Sequence, residues 1–368
     1  MVDRRRIVRQ WANGAAKVLV TLVHAEGSSY RRPGAHLLIG ADGEYAGTIS
    51  GGCLEAEVVR KAAWKVRDGA IVERYSTLFD DTAEIPFGLG CGGVVDLLFE
   101  PSDAPECHAF VEAMAASLAA DERSVATWLP ANGYKLRRVV LSESGEVIFR
   151  SEGLTASDLD TVYNQIPSSA LYFEKLSAPQ RLFVLGAGDD AKPVVTMAAL
   201  LGWSVTVVDG RPQLARAERF PQAERVLTAA SVADLRAEAA DAAVIMTHSY
   251  EQDRALLTGL LGASEVPGYI GLLGATHRSS LLVSEAAAAL GCSVAECCER
   301  VWAPVGLDLG GDGAEAIALA IVAEVQAWRQ GKLGSSRRLT AERVAEQIAQ
   351  GGASRYLQTQ CAMDTAGS

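Results

Sequence analysis

Two cysteines stand in glycine-rich turns, and they are the residues with the most reactive side chains in the sequence. Cys53 follows Gly51 and Gly52 at the expected start of a helix, where amide groups and the helix dipole lower the pKa of a thiol. Cys91 lies in the segment GLGCGG beside Gly92, and glycine leaves its sulfur uncovered. We predict that at least one of the two is a functional, catalytic thiol; the alternative is a small apolar side chain in a tight turn.

A second pattern predicts a site for a diphosphate. The segment Leu182–Ala191, LFVLGAGDDA, fits a buried strand that runs into G-x-G-x-x-[G/A] at the start of a helix. Gly186 permits the tight turn and Gly188 lets the backbone approach a phosphate. Asp209 ends the next strand, about 20 residues further on, where such folds hold a ribose hydroxyl. Arg211 either reaches a phosphate or is solvated.

Acidic residues make this fingerprint unusual. We expect Asp189 and Asp190 in the first helical turn, where they favour the helix dipole but compete with bound phosphate. A Rossmann scaffold without a nicotinamide cofactor and a true dinucleotide site are therefore both open. If nicotinamide does bind, His248 is the expected cofactor contact and proton donor, with Tyr250 as the alternative donor.

Two further patterns carry weaker signals. The loop GSSYRRPG at residues 27–34 suits an oxyanion, although these residues alone favour an ordinary solvated loop. The cysteines at 292, 297 and 298 lack the spacing of a zinc site, and we expect them to be buried in packing. No zinc-protease or P-loop motif is present in the sequence.

The predicted secondary structure that positions these residues differs between the two halves of the chain. The first half shows short apolar or alternating runs separated by Gly, Pro and Asp-Gly turns, which predicts a mixed α+β domain. The predicted strands are 17–23, 36–39, 45–49, 94–99, 125–129, 135–141 and 147–149, and the predicted helices are 54–66 and 106–119. The second half alternates strands with helices at 194–201 and 251–261, which predicts a Rossmann-type, mostly parallel, doubly wound sheet.

A seam divides these halves. Residues 158–180 lose their periodicity and gain Pro and Ser, so we place a boundary near residue 178. The predicted units are an α+β domain at 1–177, a Rossmann-type domain at 178–352, and a flexible tail at 353–368 that lacks an apolar face.

Composition limits the class of function. The net charge is −11 and repels polyphosphate, which excludes nucleic acid as an expected partner. No segment has the length and apolarity of a signal peptide core or a membrane span. Seven cysteines, an odd number in a long chain, fit free thiols in a reducing cytoplasm.

The motifs together resemble a known family. GSSYRRPGAHLLI, GTISGGCLEAEV and GLGCGG, followed by FVLGAGDDAKP, VTVVDGRP, VIMTHSYEQD, YIGLLGATHR and APVGLDLGG, resemble the XdhC/CoxI family of molybdenum-cofactor maturation proteins. The resemblance spans residues 15–325 in family order. This chain departs from the family in three places: it has Asp189 at the histidine of GAGH, Tyr30-Arg31 in the GSSPR motif, and Gly313–Ala318 at the family's T-P-E-E-I-A. At the last of these, Asp312 and Glu315 could still form a helix-capping pair.

The resemblance implies a cytoplasmic chaperone without turnover of its own. It would bind the molybdenum cofactor, as molybdopterin or its cytosine dinucleotide, support its sulfuration, and deliver it to a molybdenum hydroxylase such as xanthine dehydrogenase, aldehyde oxidoreductase or carbon monoxide dehydrogenase. A cysteine desulfurase partner and a homodimer are also implied. In this interpretation Cys53 and Cys91 contact the molybdenum end of the cofactor, while Gly186, Gly188 and Asp209 hold its phosphates.

Two other classes of function stay open. An NAD(P)-dependent oxidoreductase needs only the fingerprint and a proton donor, but leaves both cysteine turns unexplained. A regulatory scaffold that docks a partner through a degenerate Rossmann fold would explain the acidic first turn.

Overall fold

The structure is a computed structural model of the chain. It describes residues 1–27, 29–52, 54–76, 93–131, 133–168, 170–229, 232 and 235–334. In the first half the helices are α1 (Val2–Ala12), α2 (Glu55–Lys65), α3 (Pro105–Leu118) and α4 (Ala156–Tyr163). The strands there are β1 (Ala16–Glu26), β2 (Ala35–Gly40), β3 (Tyr45–Gly47), β4 (Ile71–Ser76), β5 (Val94–Pro101), β6 (Arg123–Trp128), β7 (Arg137–Ser142), β8 (Val147–Arg150) and β9 (Leu171–Leu176).

The first half forms two antiparallel sheets. The strand order is β3-β2-β1-β5-β4 in one and β8-β7-β6-β9 in the other. The central strand β1 is apolar on both faces because both are covered. Val20 joins Val58 of α2 on one side, and Leu19 joins Met114 of α3 on the other.

A fully buried arginine ties the two sheets together. The Arg138 guanidinium on β7 donates to both carboxylate oxygens of Glu100 on β5, at 2.8 and 3.1 Å. It also donates to the Thr127 hydroxyl at 3.0 Å and the Glu106 carbonyl at 2.6 Å, and lies over the Phe110 ring. Because both charges are buried, removal of either residue would leave the other charge unpaired in the interior and would destabilise the fold.

The second half contains a parallel sheet with helices on both faces. Its strands are β10 (Arg181–Leu185), β11 (Ser204–Asp209), β12 (Arg225–Thr228), β13 (Ala242–Ile245), β14 (Tyr269–Leu272) and β15 (Val301–Trp302), and its helices are α5 (Ala191–Leu200), α6 (Tyr250–Leu261), α7 (Thr276–Leu290), α8 (Val294–Cys298) and α9 (Ala314–Arg329). The order β12-β11-β10-β13-β14-β15 is parallel throughout. Val184 packs towards Ile321 of α9, whereas its neighbour Leu185 packs towards Leu257 of α6.

The predicted fold class, an α+β half followed by a Rossmann-type half, is confirmed. The predicted boundary near residue 178 falls between β9 and β10. Within the described residues, no helix is long and apolar enough to cross a membrane.

Several local predictions were wrong. The seam at 158–180 includes most of α4 and all of β9, because β9 is specified by pairing with β6 rather than by an alternating pattern of its own. Strand β3 ends at Gly47, not residue 49. Helix α9 begins after Gly313, whose φ is +88°, and no side chain caps it, so Asp312 and Glu315 do not form the expected pair.

We expect the replacement Arg138→Met to lower the free energy of unfolding by about 3–5 kcal/mol, because the Glu100 charge then stays buried without its partner. The double variant Arg138→Met/Glu100→Leu should recover much of that loss, since it buries neither charge. Denaturant unfolding at neutral pH measures both. Arg67→Met, which removes an exposed pair with Asp68, is the control; an equal loss in Arg67→Met and Arg138→Met would contradict the buried tie.

Candidate functional site

Three predicted site residues, Cys53, Cys91 and Gly92, lie outside the described residues, and their roles stay predictions. Helix α2 begins at Glu55, two residues after Cys53.

A buried carboxylate organises the turn before α2. Glu55 accepts the amide N–H groups of Ile49 and Ser50 at 3.1 and 2.9 Å, and also the Ser50 hydroxyl. The same hydroxyl oxygen accepts the N–H groups of Gly52 and Leu54 at 3.2 and 3.1 Å. Burial raises the pKa of Glu55, but these hydrogen bonds outweigh it and lower the pKa overall. The turn is thus held by an ionised carboxylate.

Tyr30 of the 27–34 motif lies beside Gly51 of the turn before α2. The Tyr30 ring lies against Gly51, where an added Cβ would be 3.4 Å from the ring. The Arg31 guanidinium donates a hydrogen bond to the Asp3 carboxylate of α1 at 2.9 Å, so it is not surrounded by solvent alone. Gly52 has a φ of +107°, a left-handed conformation that favours glycine. The turn that contains Gly51 and Gly52 therefore lies beside Tyr30, a residue of a second predicted motif.

The fingerprint loop after β10 has the close backbone approach that its glycines predict. Gly186 has a φ of +126°, and a Cβ there would lie 2.4 Å from the carbonyl oxygen of Met246. At Gly188 a Cβ would meet the Asp190 carboxylate at 2.4 Å. The loop therefore fits against the end of β13 only with glycine at residue 186.

Asp209 holds this loop from the neighbouring strand. One carboxylate oxygen accepts the Ala187 amide at 2.8 Å and Arg211 Nη2 at 2.8 Å; the other accepts the Arg211 amide and Nε, both at 2.9 Å. Burial raises the pKa of Asp209, but the bonds from Arg211 and Ala187 outweigh it and lower the pKa overall. Arg211 is thus bound to Asp209 rather than to solvent. The acceptor positions expected for a ribose hydroxyl are filled by the protein.

Asp189 and Asp190 precede α5 rather than forming its first turn, because the helix begins at Ala191. Asp189 is exposed and accepts Lys192 Nζ at 2.7 Å and Arg219 Nη2 at 2.8 Å. These two hydrogen bonds, with Lys192 the larger cause, lower the pKa of Asp189. Arg219 also donates to the Ala187 carbonyl at 2.9 Å. The acid is therefore ion-paired beside the glycine loop.

His248 faces the same loop. Its Nε2 lies 2.8 Å from Asp190 Oδ2, and its φ of +62° is uncommon for a residue other than glycine. The preceding Thr247 is fixed by the buried Asp253, which accepts its hydroxyl at 2.6 Å. Arg278 donates to the other Asp253 oxygen at 2.6 Å. The buried network thus holds His248 in a strained conformation.

Tyr250, the alternative proton donor, does not join this group. Its hydroxyl donates to Glu285 of α7 at 2.9 Å. Three residues that do join it, Arg219, Asp253 and Arg278, were not predicted from the sequence. Of the three, only Asp253 could have been noticed in the sequence, as an acid in the first turn of a helix that follows a strand. The two arginines could not, because the position of their segments depends on the fold.

Charge is balanced around the loop. The carboxylates of Asp189, Asp190 and Asp209 each contact a basic side chain, at the carboxyl edge of the parallel sheet where ligands of such folds bind. Chemically, the arrangement places the paired cations Lys192 and Arg219 beside the glycine loop. Among residues 1–334 that the structure describes, no cluster of three or more metal-binding side chains occurs.

A wide cleft among the described residues lies elsewhere and was not predicted. It has a volume of about 1180 Å³ and contains none of the predicted site residues. Its walls come from the two antiparallel sheets and α3, and include Glu100, Glu106, Lys135, Arg137 and Arg150. No sequence signal pointed to it, because its lining residues come from separate segments.

We expect Asp209→Asn to destabilise the protein at neutral pH by about 2–4 kcal/mol, since the loop amide and Arg211 lose a charged acceptor. A carboxyl whose pKa is lowered on folding stabilises the protein above its unfolded value of 3.8, and that contribution is lost as pH falls below it. The difference between the variant and the original protein should therefore shrink below about pH 4. Denaturant unfolding at several pH values measures this, with the exposed Asp160→Asn as control; a constant difference would contradict the assignment.

Comparisons with known proteins find relatives over most of the chain. A model described as the XdhC Rossmann domain matches residues 182–325, and one described as the XdhC and CoxI family matches residues 10–76. A Bacillus subtilis protein named as a probable subunit of xanthine dehydrogenase is 28% identical over 84% of this chain and 92% of its own length. The molybdenum cofactor insertion chaperone PaoD of Escherichia coli is 24% identical over 89% of this chain and 90% of its own.

Among solved structures, a Bacillus halodurans protein described as a xanthine dehydrogenase has a TM-score of 0.77 and 25% identity, covering 94% of this chain and 99% of that one. The similarity thus extends through both halves of the fold. Together the two family models match more than half of the sequence, in the two regions that hold the first glycine turn and the fingerprint loop. The chain therefore belongs to the XdhC and CoxI family.

Proposed function

We propose that this chain is a maturation chaperone that binds the molybdenum cofactor, supports its sulfuration and inserts it into a molybdenum hydroxylase. The observation that carries the proposal is the match to a relative named as a molybdenum cofactor insertion chaperone, which covers 90% of that protein. The fold, the turn at Gly51-Gly52 and the fingerprint loop are compatible with it. The chain acts without turnover of its own.

The fingerprint loop supports the phosphate end of this proposal. The cofactor is an anionic pterin phosphate, or a cytosine dinucleotide with a diphosphate. Lys192 and Arg219 lie beside the loop and share Asp189 as their acceptor. A phosphate that replaced this carboxylate would keep both cations paired, at the start of α5 where backbone amides favour an anion. Asp189 then acts as a competitor built into the site.

The first glycine–cysteine turn supports the other end. A thiolate is a suitable soft ligand for molybdenum. In the proposal, Cys53 and Cys91 contact the metal end of the cofactor, and Gly51, Gly52 and Gly92 leave room for it. The buried carboxylate of Glu55 would keep Gly52 and its neighbours in one conformation while cofactor enters and leaves.

The proposal extends to partners and location. It places the protein in the cytoplasm, as a homodimer, with a cysteine desulfurase as the source of sulfur. The client is a molybdenum hydroxylase of the xanthine dehydrogenase, aldehyde oxidoreductase or carbon monoxide dehydrogenase type.

A nicotinamide cofactor is the weaker proposal for the fingerprint loop. The acid that would bind its ribose, Asp209, already accepts bonds from Ala187 and Arg211 on both oxygens. Arg211 would have to move before a ribose hydroxyl could bind in the usual way. Fluorescence titration with NADH and NADPH tests this alternative.

We expect Asp189→Asn to strengthen cofactor binding by roughly two- to five-fold, because a competing exposed carboxylate is removed while Lys192 and Arg219 remain. Gly188→Asp should abolish binding, since it places a carboxylate where the phosphate would lie. Calorimetry with cytidine diphosphate and with purified molybdopterin measures both ligands. Glu218→Gln, an exposed acid paired with Arg216, is the control. Unchanged affinities in both loop variants would contradict the phosphate site.

We expect Cys53→Ser and Cys91→Ser each to lower retention of the cofactor, because serine is a hard and weaker ligand for the metal. Cys53 should alkylate faster than Cys91 at neutral pH, since its sequence context provides a helix field. Cofactor retained per chain is measured by pterin fluorescence after oxidation, and alkylation by iodoacetamide kinetics with and without cofactor. Slow, cofactor-independent labelling of both thiols, together with full retention in both variants, would contradict this role.

A further inference from the structure

Two cysteine side chains meet where α7 turns into α8. Cys292 Sγ lies 3.5 Å from Cys297 Sγ. Helix α7 ends at Leu290, and Gly291 adopts the left-handed conformation that reverses the chain. A capping box between Ser293 and Glu296 then starts α8. This tight connection folds Cys292 back onto the helix that carries Cys297.

The three neighbouring cysteines differ in environment. Cys297 is 2% exposed and packs against the apolar side chains beneath α6 and α7, as its sequence context predicted. Cys292 is partly exposed, and Cys298 is exposed. The expected burial is therefore confirmed for Cys297 but wrong for Cys298. Adjacent residues on a helix point about 100° apart, so Cys298 is directed away from the Cys292–Cys297 contact.

We propose that Cys292 and Cys297 form a reversible thiol pair that closes to a disulfide with a small disulfide such as glutathione disulfide. The thiolate of Cys292 attacks one sulfur of the reagent and forms a mixed disulfide, and the first glutathione leaves. Cys297 then attacks the Cys292 sulfur, and the second glutathione leaves. Two cysteine thiols are oxidised, one glutathione disulfide is reduced, and the two thiol protons pass to the two glutathione molecules.

The environments set the order of these steps. Burial, followed by the neighbouring Cys292 thiol, raises the pKa of Cys297 to about 11, so Cys297 is protonated at neutral pH. Cys292 is the thiol that solvent reaches, and it therefore reacts first. A Cys292 mixed disulfide would hold its sulfur beside Cys297, and proximity then favours closure over a second encounter with reagent. Cys297 is thus the resolving thiol.

The sequence allows this pair to be observed separately from the other cysteines. Trypsin cleaves after Arg278 and Arg300, and the peptide at 279–300 contains Cys292, Cys297 and Cys298 but none of the remaining four cysteines. Full-length protein is equilibrated in buffers with an increasing ratio of oxidised to reduced glutathione. It is then alkylated and digested, and the masses of the peptides are measured by mass spectrometry. We expect the peptide to change from three alkyl groups to one, with the loss of two hydrogen atoms. A peptide that carries three alkyl groups in every buffer, or only adds glutathione, would overturn the proposal.

Single substitutions identify the partners. Cys298→Ser should leave the oxidation midpoint unchanged and is the matched control. Cys292→Ser should block both the mixed disulfide and its closure, whereas Cys297→Ala should accumulate glutathione on Cys292. The measurement on the unaltered chain does not depend on whether these variants fold. A disulfide that survives Cys297→Ala but disappears in Cys298→Ser would show that the partner of Cys292 is Cys298, and would overturn the proposal.

Discussion

The carboxylate of Asp209 fixes the loop on which the candidate phosphate site depends. It is buried at the end of β11, accepts the Ala187 amide, and is bound on both oxygens by Arg211. On the other side of the loop, Gly186 lies against the Met246 carbonyl. The loop therefore cannot shift without breaking charged hydrogen bonds in a buried place, which is costly. Its position before ligand arrives is set by the protein itself.

A second buried carboxylate does the same in the first half of the chain. Glu55 accepts the amides of Ile49 and Ser50, and so sets the backbone that leads into Gly51 and Gly52. In both places, hydrogen bonds keep the acid ionised although it is buried. The turn at Gly51-Gly52 and the fingerprint loop are thus each held by a buried carboxylate, while Asp189 beside the fingerprint loop is exposed and pairs with Lys192 and Arg219.

The sequence predicted the fold class, the turn at Gly51-Gly52 and the fingerprint loop, because strand and helix periodicity and the spacing of glycines are local signals. It did not predict the pairing of those residues. The role of Asp209 at a ribose stays a prediction; its pairing with Arg211 was not predicted, because nothing in the local sequence specifies which side chain reaches a buried acceptor. Arg219 and Arg278 come from distant segments, and β9 is defined by its partner strand. Asp312 and Glu315 matched a capping pattern, but the left-handed Gly313 starts α9 without them.

Transfer of cofactor to a client tests the central claim most directly. A cofactor-free molybdenum hydroxylase is incubated with this chain loaded with sulfurated cofactor, and separately with the same amount of free cofactor. The chaperone account predicts that the loaded chain restores client activity faster and to a higher level than free cofactor, and that pterin moves from one protein to the other. Equal activation by free cofactor, or retention of all pterin by this chain, would contradict the account.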